Sequence, residues 1–346
     1  MSVDLVGSTA FKARFAEREN GDDPLPQWVR QIRHFYTEFP KYLSKRYDKE
    51  VMHDEIFSEY AASPPRTWKT IGDEIIFCCR ILTLEHLACC SSAFLKTLDD
   101  YGSYLDSTRT KLDVKGAGWT AAFPAPNITV EIASSSAAAG EIPDESIEIE
   151  ADKSPNRFDF LGKEIDSGFR SSKFAAADKF TASLELASLL SFASRHQLFA
   201  AKFTYHGRQV LKGVIADRPY PIVTIDSERS VSRREVRTRE KALTGEVNID
   251  SLHLCEFLEA FMRDEGIDLP NVPSISVPRD GNRLPECYNE FKKAWNSNNQ
   301  ENEKRERSEQ EASEMGDCAD DGELPQALDA ALSLTLARSE QDQEAS

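Results

Sequence analysis

Between residues 26 and 47, Trp28, Ile32, Phe35, Phe39 and Leu43 fall three or four apart. That spacing lines one face of an α-helix, with Pro40 as a candidate kink. Residues 84–105 repeat the pattern with Leu84, Leu87, Phe94, Leu95 and Leu98, and residues 164–176 open a third helix. Strand-like runs occupy residues 2–6, 180–184 and 222–225. Another spans 111–123 and is stopped by Pro124 and Pro126. Residues 67–81 read as two strands joined tightly at Gly72-Asp73, and 200–206 with 209–214 as a hairpin about Gly207. The segment 133–157, rich in Ser, Ala, Asp and Pro, reads as a loop with one short strand.

Strands alternating with helices predict an α+β or α/β sheet domain. After about Arg237 the pattern changes. Leu252, Cys255, Phe257, Leu258 and Phe261 predict one helix, and residues 285–295 another. This divides the chain into a sheet domain over 1–239, a helical extension over 240–296 and a tail over 297–346. The tail is polar and poor in aromatics, the composition of a disordered segment. Within it, Leu324, Leu328, Leu332 and Leu336 recur every four residues, a spacing that suits either a short partner-binding helix or transient helicity alone.

The net charge of −17 is uneven. Residues 297–346 hold 14 acidic against 4 basic residues and so carry −10 of it. Nothing in this balance suggests a nucleic-acid-binding surface, and an anionic ligand would need local cations. No run approaches the roughly 20 apolar residues of a membrane span. The first residues show no basic flank or apolar core of a signal peptide, so a cytoplasmic protein is expected. Seven cysteines, Cys78-Cys79, Cys89-Cys90, Cys255, Cys287 and Cys318, include no Cys-x-x-Cys pair and no His partner at zinc spacing. Reduced core thiols are the expectation.

Two carboxylates draw the chemistry together. Asp4 stands at a strand end before Gly7-Ser8-Thr9, and Asp73 stands in a tight turn between apolar strands. Singly each is unremarkable, since aspartate is a common turn residue. A third block, Phe158-Asp159-Phe160-Leu161-Gly162-Lys163-Glu164-Ile165-Asp166-Ser167-Gly168-Phe169-Arg170, places Asp166 and Arg170 at i and i+4, on one face of a helix. Taken alone, that pair would read as a surface salt bridge.

Together the blocks Asp4-Leu5-Val6-Gly7-Ser8-Thr9 and Lys69-Thr70-Ile71-Gly72-Asp73-Glu74, followed by the third, resemble the class III nucleotidyl cyclases. The likeness runs over about residues 2–226. Within that family the chain is most similar to the pyrimidine cyclases of bacterial Pycsar antiphage defence. Trp68-Lys69-Thr70-Ile71-Gly72-Asp73, Leu211-Lys212-Gly213-Val214 and Tyr220-Pro221 carry this closer likeness. One departure is that only three residues precede Asp4, which implies a nearly absent first strand.

The resemblance implies an α+β sandwich with a mostly antiparallel sheet and flanking helices. It also implies a homodimer with sites between the subunits. Asp4, Asp73 and the carbonyl of Leu5 would hold two divalent cations, Mn²⁺ or Mg²⁺. Gly7, Ser8 and Thr9 would cradle phosphate, with Lys115 and Lys212 on the triphosphate. Asp166 would orient the ribose and Arg170 would neutralise the transition state. Lys69 and Asp159 would read the base, and alternation puts Lys69, Ile71 and Asp73 on one strand face with Trp68 opposite. Lysine only donates and ionised aspartate only accepts, a pair that can read cytosine, uracil or adenine. UTP is the expected substrate and CTP the next. A general adenylate or guanylate cyclase, then a non-catalytic binding domain, are the alternatives. The product would act on a separate effector, and neither nucleic acid nor membrane is an expected partner.

Overall fold

In the computed structural model, which describes residues 1–14, 25–53, 55–132, 146–244, 249–278 and 284–317, the chain opens with β1 (Ser2–Val6) and a short helix, α1 (Ser8–Arg14). Then come α2 (Gln27–His53), the hairpin β2 (Arg66–Ile71) and β3 (Glu74–Cys78), α3 (Leu84–Ser107) and β4 (Asp113–Gly118). β5 (Ile128–Glu131), α4 (Ser146–Lys153), β6 (Phe158–Leu161) and α5 (Lys163–Ser171) follow. β7 (Lys179–Ala182), α6 (Leu184–Arg195), β8 (Phe203–Val210) and β9 (Pro219–Asp226) complete the strands. Three helices end the described chain: α7 (Val231–Thr244), α8 (Ser251–Glu265) and α9 (Glu286–Asp317). The chain divides into two units, Met1–Lys292 and Lys293–Ser346. No helix among the described residues is long and apolar enough to cross a membrane.

Seven strands form one sheet in the order β2-β3-β1-β4-β7-β9-β8. Every neighbouring pair is antiparallel except β4 with β7. β5 and β6 make a separate two-stranded antiparallel ribbon. The fold is therefore α+β, a mostly antiparallel sheet flanked by helices. β1 is not vestigial: it pairs along its length with β4 and also with β3.

Alternation along β1 decides which side of the sheet does what. Val3 and Leu5 are buried with Ile75, Phe77 and Val114 in the main core, beneath Phe35, Phe39 and Leu43 of α2 and Phe94, Leu98 and Tyr101 of α3. Asp4 lies between Val3 and Leu5 and so faces the other side. Each large apolar side chain buried in this core contributes about 1.5–3 kcal/mol. That continuous stripe holds α2 helical through Pro40, where no break occurs. A smaller core of Trp68, Ile76 and Ile165, flanked by Trp119, Phe123, Phe160 and Phe169, lies under α5.

Several sequence expectations differ from this structure. Gly207 is not a hairpin turn. β8 runs straight through it with an irregular register between Tyr205 and Arg208, and the chain reverses over residues 211–218. Gly207 has φ +77°, so glycine here serves a bulge. Within the expected loop at 133–157, residues 146–153 form α4, while 133–145 lie outside the described residues. The strand expected over 111–123 is short, ending at Gly118, and α5 ends at Ser171. β5, β6, α6 and α7 had no counterpart in the sequence reading.

α7 runs through residue 239, where a boundary was expected. It is held by Arg237, which pairs with Asp178, with Asp226 at 2.9 Å and with Glu228 at 3.2 Å. α8 adds Leu254, Leu258, Phe261 and Met262 to the main core. In the second unit, helix continues to Asp317 where disorder was expected. The stretch is rich in Glu, Lys, Arg and Gln, which are strong helix formers. The leucines at 324, 328, 332 and 336 lie outside the described residues.

Candidate functional site

Asp4 and Asp73 come from distant parts of the sequence, and β1 brings them to one end of the sheet. β3 lies beside β1, and the Leu5 amide donates to the Asp73 carbonyl at 3.3 Å. The Tyr36 hydroxyl of α2 donates to the Gly72 carbonyl and so fixes the turn that carries Asp73. Leu5 itself is buried in the core. Gly7 has φ +86°, and a Cβ there would lie 3.2 Å from the Lys111 carbonyl, so the turn into α1 requires glycine.

Each aspartate already has a cation. Lys115 Nζ lies 3.0 Å from Asp4 Oδ2, its direct cross-strand neighbour, and Lys12 Nζ lies 3.7 Å from Asp73 Oδ1. Ser8 Oγ donates to Asp73 Oδ2. Thr9, next in α1, is exposed. Glu74 is the other cross-strand neighbour of Asp4. Burial pushes its carboxyl above the ordinary range; a hydrogen bond with Ser2 opposes this and the charge of Asp4 adds to it. An open cleft beside Asp4 is lined by Ser2, Glu74, Lys115, Ser172 and Lys173. The donors here are oxygens, two carboxylates with a third alongside, the chemistry that suits a hard divalent cation. Asp4, Asp73 and the Leu5 carbonyl could therefore hold one.

The second cluster is Lys69 with Asp159. Lys69 Nζ donates to Asp159 Oδ1 at 2.7 Å and lies 3.9 Å from the centroid of the Trp68 ring. Trp68 is buried, and its indole N–H donates to the Phe158 carbonyl at 2.9 Å. That bond ties β2 to β6 and brings Lys69 to Asp159. Around this ion pair Ile71, Ile128, Val130 and Leu161 are exposed.

The third cluster is on α5. Asp166 and Arg170 are both exposed, and among the described residues they form no ion pair with each other. Arg170 Nη2 lies 4.0 Å from where a Cβ of Gly213 would be, and Lys212 stands exposed beside that glycine. The inner side of α5 is tightly set. A Cβ on Gly168 would fall 2.3 Å from the Trp119 ring, and one on Gly162 would fall 2.3 Å from Asn127 Oδ1. Asn127 is buried and works in both directions. Its Oδ1 accepts from the Glu164 amide at 3.2 Å, and its Nδ2 donates to Glu164 Oε2 at 2.7 Å. Beneath lies Glu185, whose carboxyl burial, reinforced by the charge of Glu164, raises to about 7.

The structure thus joins Asp4, Leu5, Asp73, Gly7, Ser8 and Lys115 at one place and Lys69 with Asp159 at another. It sets Asp166, Arg170 and Lys212 at a third. Lys12, Glu74 and Lys173, which adjoin the carboxylates, and Asn127 and Trp119, which seat α5, were not singled out from the sequence. Lys12, at i+4 from Ser8 on one face of α1, carried a signal that could have been read.

No protein-family model matches the chain, and none of the curated proteins is similar to it in sequence. Solved structures similar to it include the adenylyl cyclase CyaB from P. aeruginosa, with TM-score 0.34 and 13% identity over 66% of this chain and 93% of that one. The guanylate cyclase domain of RhGC from Catenaria anguillulae, in complex with GTP, gives TM-score 0.35 and 10% identity over 66% and 94%. The guanylyl cyclase Cya2 gives 0.30 and 11% over 65% and 88%. At these values neither a family nor an activity follows from the likeness.

Proposed function

We propose that the chain is a class III nucleotidyl cyclase, working as a homodimer, that converts a pyrimidine nucleoside triphosphate to its 3′,5′-cyclic monophosphate and pyrophosphate. UTP is the first substrate and CTP the second. The observation that carries the reading is the joining of Asp4 and Asp73 across β1 and β3, sealed by the Leu5 amide on the Asp73 carbonyl at 3.3 Å. Two distant motifs converge there on one oxygen-donor site.

The residues divide the work. Divalent cations on Asp4, Asp73 and the Leu5 carbonyl, Mn²⁺ or Mg²⁺, would acidify the ribose 3′-hydroxyl and neutralise phosphate charge. Lys115 and Lys212 draw in the triphosphate with the Gly7-Ser8-Thr9 turn. Asp166 orients the ribose. Arg170 meets the charge that grows on the phosphorus oxygens. Lys69 donates to the base and Asp159 accepts from it. Because these two touch at 2.7 Å, a base must part them to be read.

The exposed Asp166 and Arg170, together with the apolar rim of Ile71, Ile128, Val130 and Leu161, support a second copy covering this side. In this reading the cyclic nucleotide is a second messenger for a separate effector in antiphage defence, within the cytoplasm. The test is product chromatography with each of the four ribonucleoside triphosphates and Mn²⁺. Cyclic UMP should dominate, and Lys69→Ala or Asp159→Ala should lose selectivity along with rate. Cyclic AMP or cyclic GMP as the main product would overturn the pyrimidine assignment, and no cyclic product from any of the four would overturn the cyclase.

A further inference from the structure

At the far end of β3 from Asp73, Cys79, His86 and Cys90 bring their sulfur and ring-nitrogen atoms within 4.8 Å of one another. The sequence expectation was of reduced core thiols without a His partner, although His86 stands four residues before Cys90. The cluster forms because His86 and Cys90 are i and i+4 on α3, while Cys79 enters from the end of β3. Cys79 Sγ lies 4.0 Å from Cys90 Sγ and 3.8 Å from His86 Nε2. Two thiols and an imidazole at such distances look like three corners of a zinc site.

The imidazole argues otherwise. His86 Nδ1 accepts from the Leu82 amide at 3.3 Å, so in the neutral ring the proton is on Nε2. Nε2 donates to the Ser63 carbonyl at 2.9 Å and faces the Tyr47 hydroxyl at 3.1 Å. The nitrogen turned toward the sulfurs is thus an N–H, not a lone pair. A metal-bound histidine has the opposite arrangement, its other nitrogen donating to a carbonyl or carboxylate. The same N–H lies 3.8 Å from Cys79 Sγ, near enough to turn toward that sulfur when it is a thiolate.

The two thiols are also unequal. A hydrogen bond from Cys90, then one from His86, outweigh burial and hold the Cys79 thiol below its ordinary range. Burial, with Cys79 adding to it, holds Cys90 well above. Burial likewise pushes the adjacent Cys78 and Cys89 up to about 12. When neutral, the Cys79 thiol donates to the Ser63 carbonyl at 3.3 Å.

We infer that Cys79 and Cys90 form a peroxide-reactive dithiol, in which Cys79 attacks a hydroperoxide and Cys90 closes a disulfide between the end of β3 and α3. The Cys79 sulfur gives its electron pair to one peroxide oxygen. The O–O bond breaks, the leaving hydroxide takes a proton as water, and Cys79 becomes a sulfenic acid. Cys90 then loses its proton and attacks that sulfur. The S–O bond breaks and a second water leaves. The thiols together give up two electrons, which the peroxide takes. The sulfurs must close from 4.0 Å to a bond of about 2.05 Å.

The test treats the purified full-length chain with equimolar hydrogen peroxide, followed by non-reducing peptide mass spectrometry and metal analysis of the untreated protein. A dithiothreitol-reversible Cys79–Cys90 linked peptide is expected, and no stoichiometric zinc. Cys90→Ser should instead accumulate a dimedone-trapped sulfenic acid on Cys79, and Cys79→Ser should lose both products, with circular dichroism showing both variants folded. One zinc per chain that protects the cysteines would overturn the inference. So would wild-type protein in which Cys79 reacts no faster than Cys78 or Cys89.

Discussion

The carboxylate end of the sheet and the exposed face of α5 treat charge in opposite ways. Asp4 and Asp73 stand beside Lys115 and Lys12, each within 4.0 Å of an ammonium. Asp166 and Arg170, one turn apart on α5, do not pair among the described residues, although helix geometry would allow it. The first region satisfies itself within one chain. The second is held rigidly from below by Gly162, Gly168, Asn127 and Trp119 and offers its charges outward. Rigid seating without internal partners is what a group acting on a ligand or across an interface requires.

The comparison breaks most directly at Asp73 and Arg170. Asp73→Asn should cut turnover by more than about a hundredfold, since it removes charge from a proposed metal ligand. Steady-state cyclisation with Mn²⁺ measures it, and activity within a few-fold of wild type would remove Asp73 from the metal site. Arg170→Ala should cost about 10²–10³-fold in kcat. Because Arg170 makes no ion pair among the described residues, thermal unfolding of this variant should match wild type. A large fall in Tm would mean that Arg170 is a structural residue.

The seating of α5 is tested at Gly162, whose φ is +143°. Gly162→Ala meets both the backbone strain and Asn127, and should destabilise the fold by about 1–3 kcal/mol in urea titration. A neutral outcome would show that α5 starts freely. The last effect, which vanishes at low pH, concerns Glu185. Its folded pKa of about 7 exceeds the unfolded value of 4.5, so the folded state binds the proton more tightly. Stability should therefore fall as pH rises through the window from 4.5 to about 7. Glu185→Gln should remove that loss, gaining up to about 3 kcal/mol over wild type at pH 8 and nothing at pH 4. Parallel Tm–pH curves for the two proteins would contradict this.

Much of the site was legible because its motifs are local. Asp4 with Gly7-Ser8-Thr9, Lys69 with Asp73, and Asp166 with Arg170 each sit within a few residues of one another, so spacing alone puts them on one turn or face. What the sequence hid depends on long-range contact. Lys69 and Asp159 were both named, but their direct contact, and the Trp68 bond to the Phe158 carbonyl that brings it about, were not legible. Asn127 reaches Glu164 from a loop with no motif of its own. α6 escaped notice because all three of its leading leucines, Leu184, Leu186 and Leu189, are buried with Ala187 and Leu190, leaving little polar face to mark a helical period. Gly207 misled because a positive-φ glycine serves a bulge as well as a turn.

The division of labour between the two regions is tested most directly by complementation. Asp73→Asn and Arg170→Ala chains, each inactive alone, are mixed under conditions where subunit exchange is shown by a tagged copy, and cyclic nucleotide is measured. The mixed dimer holds one site with Asp73 from one copy and Arg170 from the other, so activity should return to about a quarter of wild type, half of the dimers being mixed and each having one of two sites intact. Exchange without any recovery of product would contradict a site shared between copies.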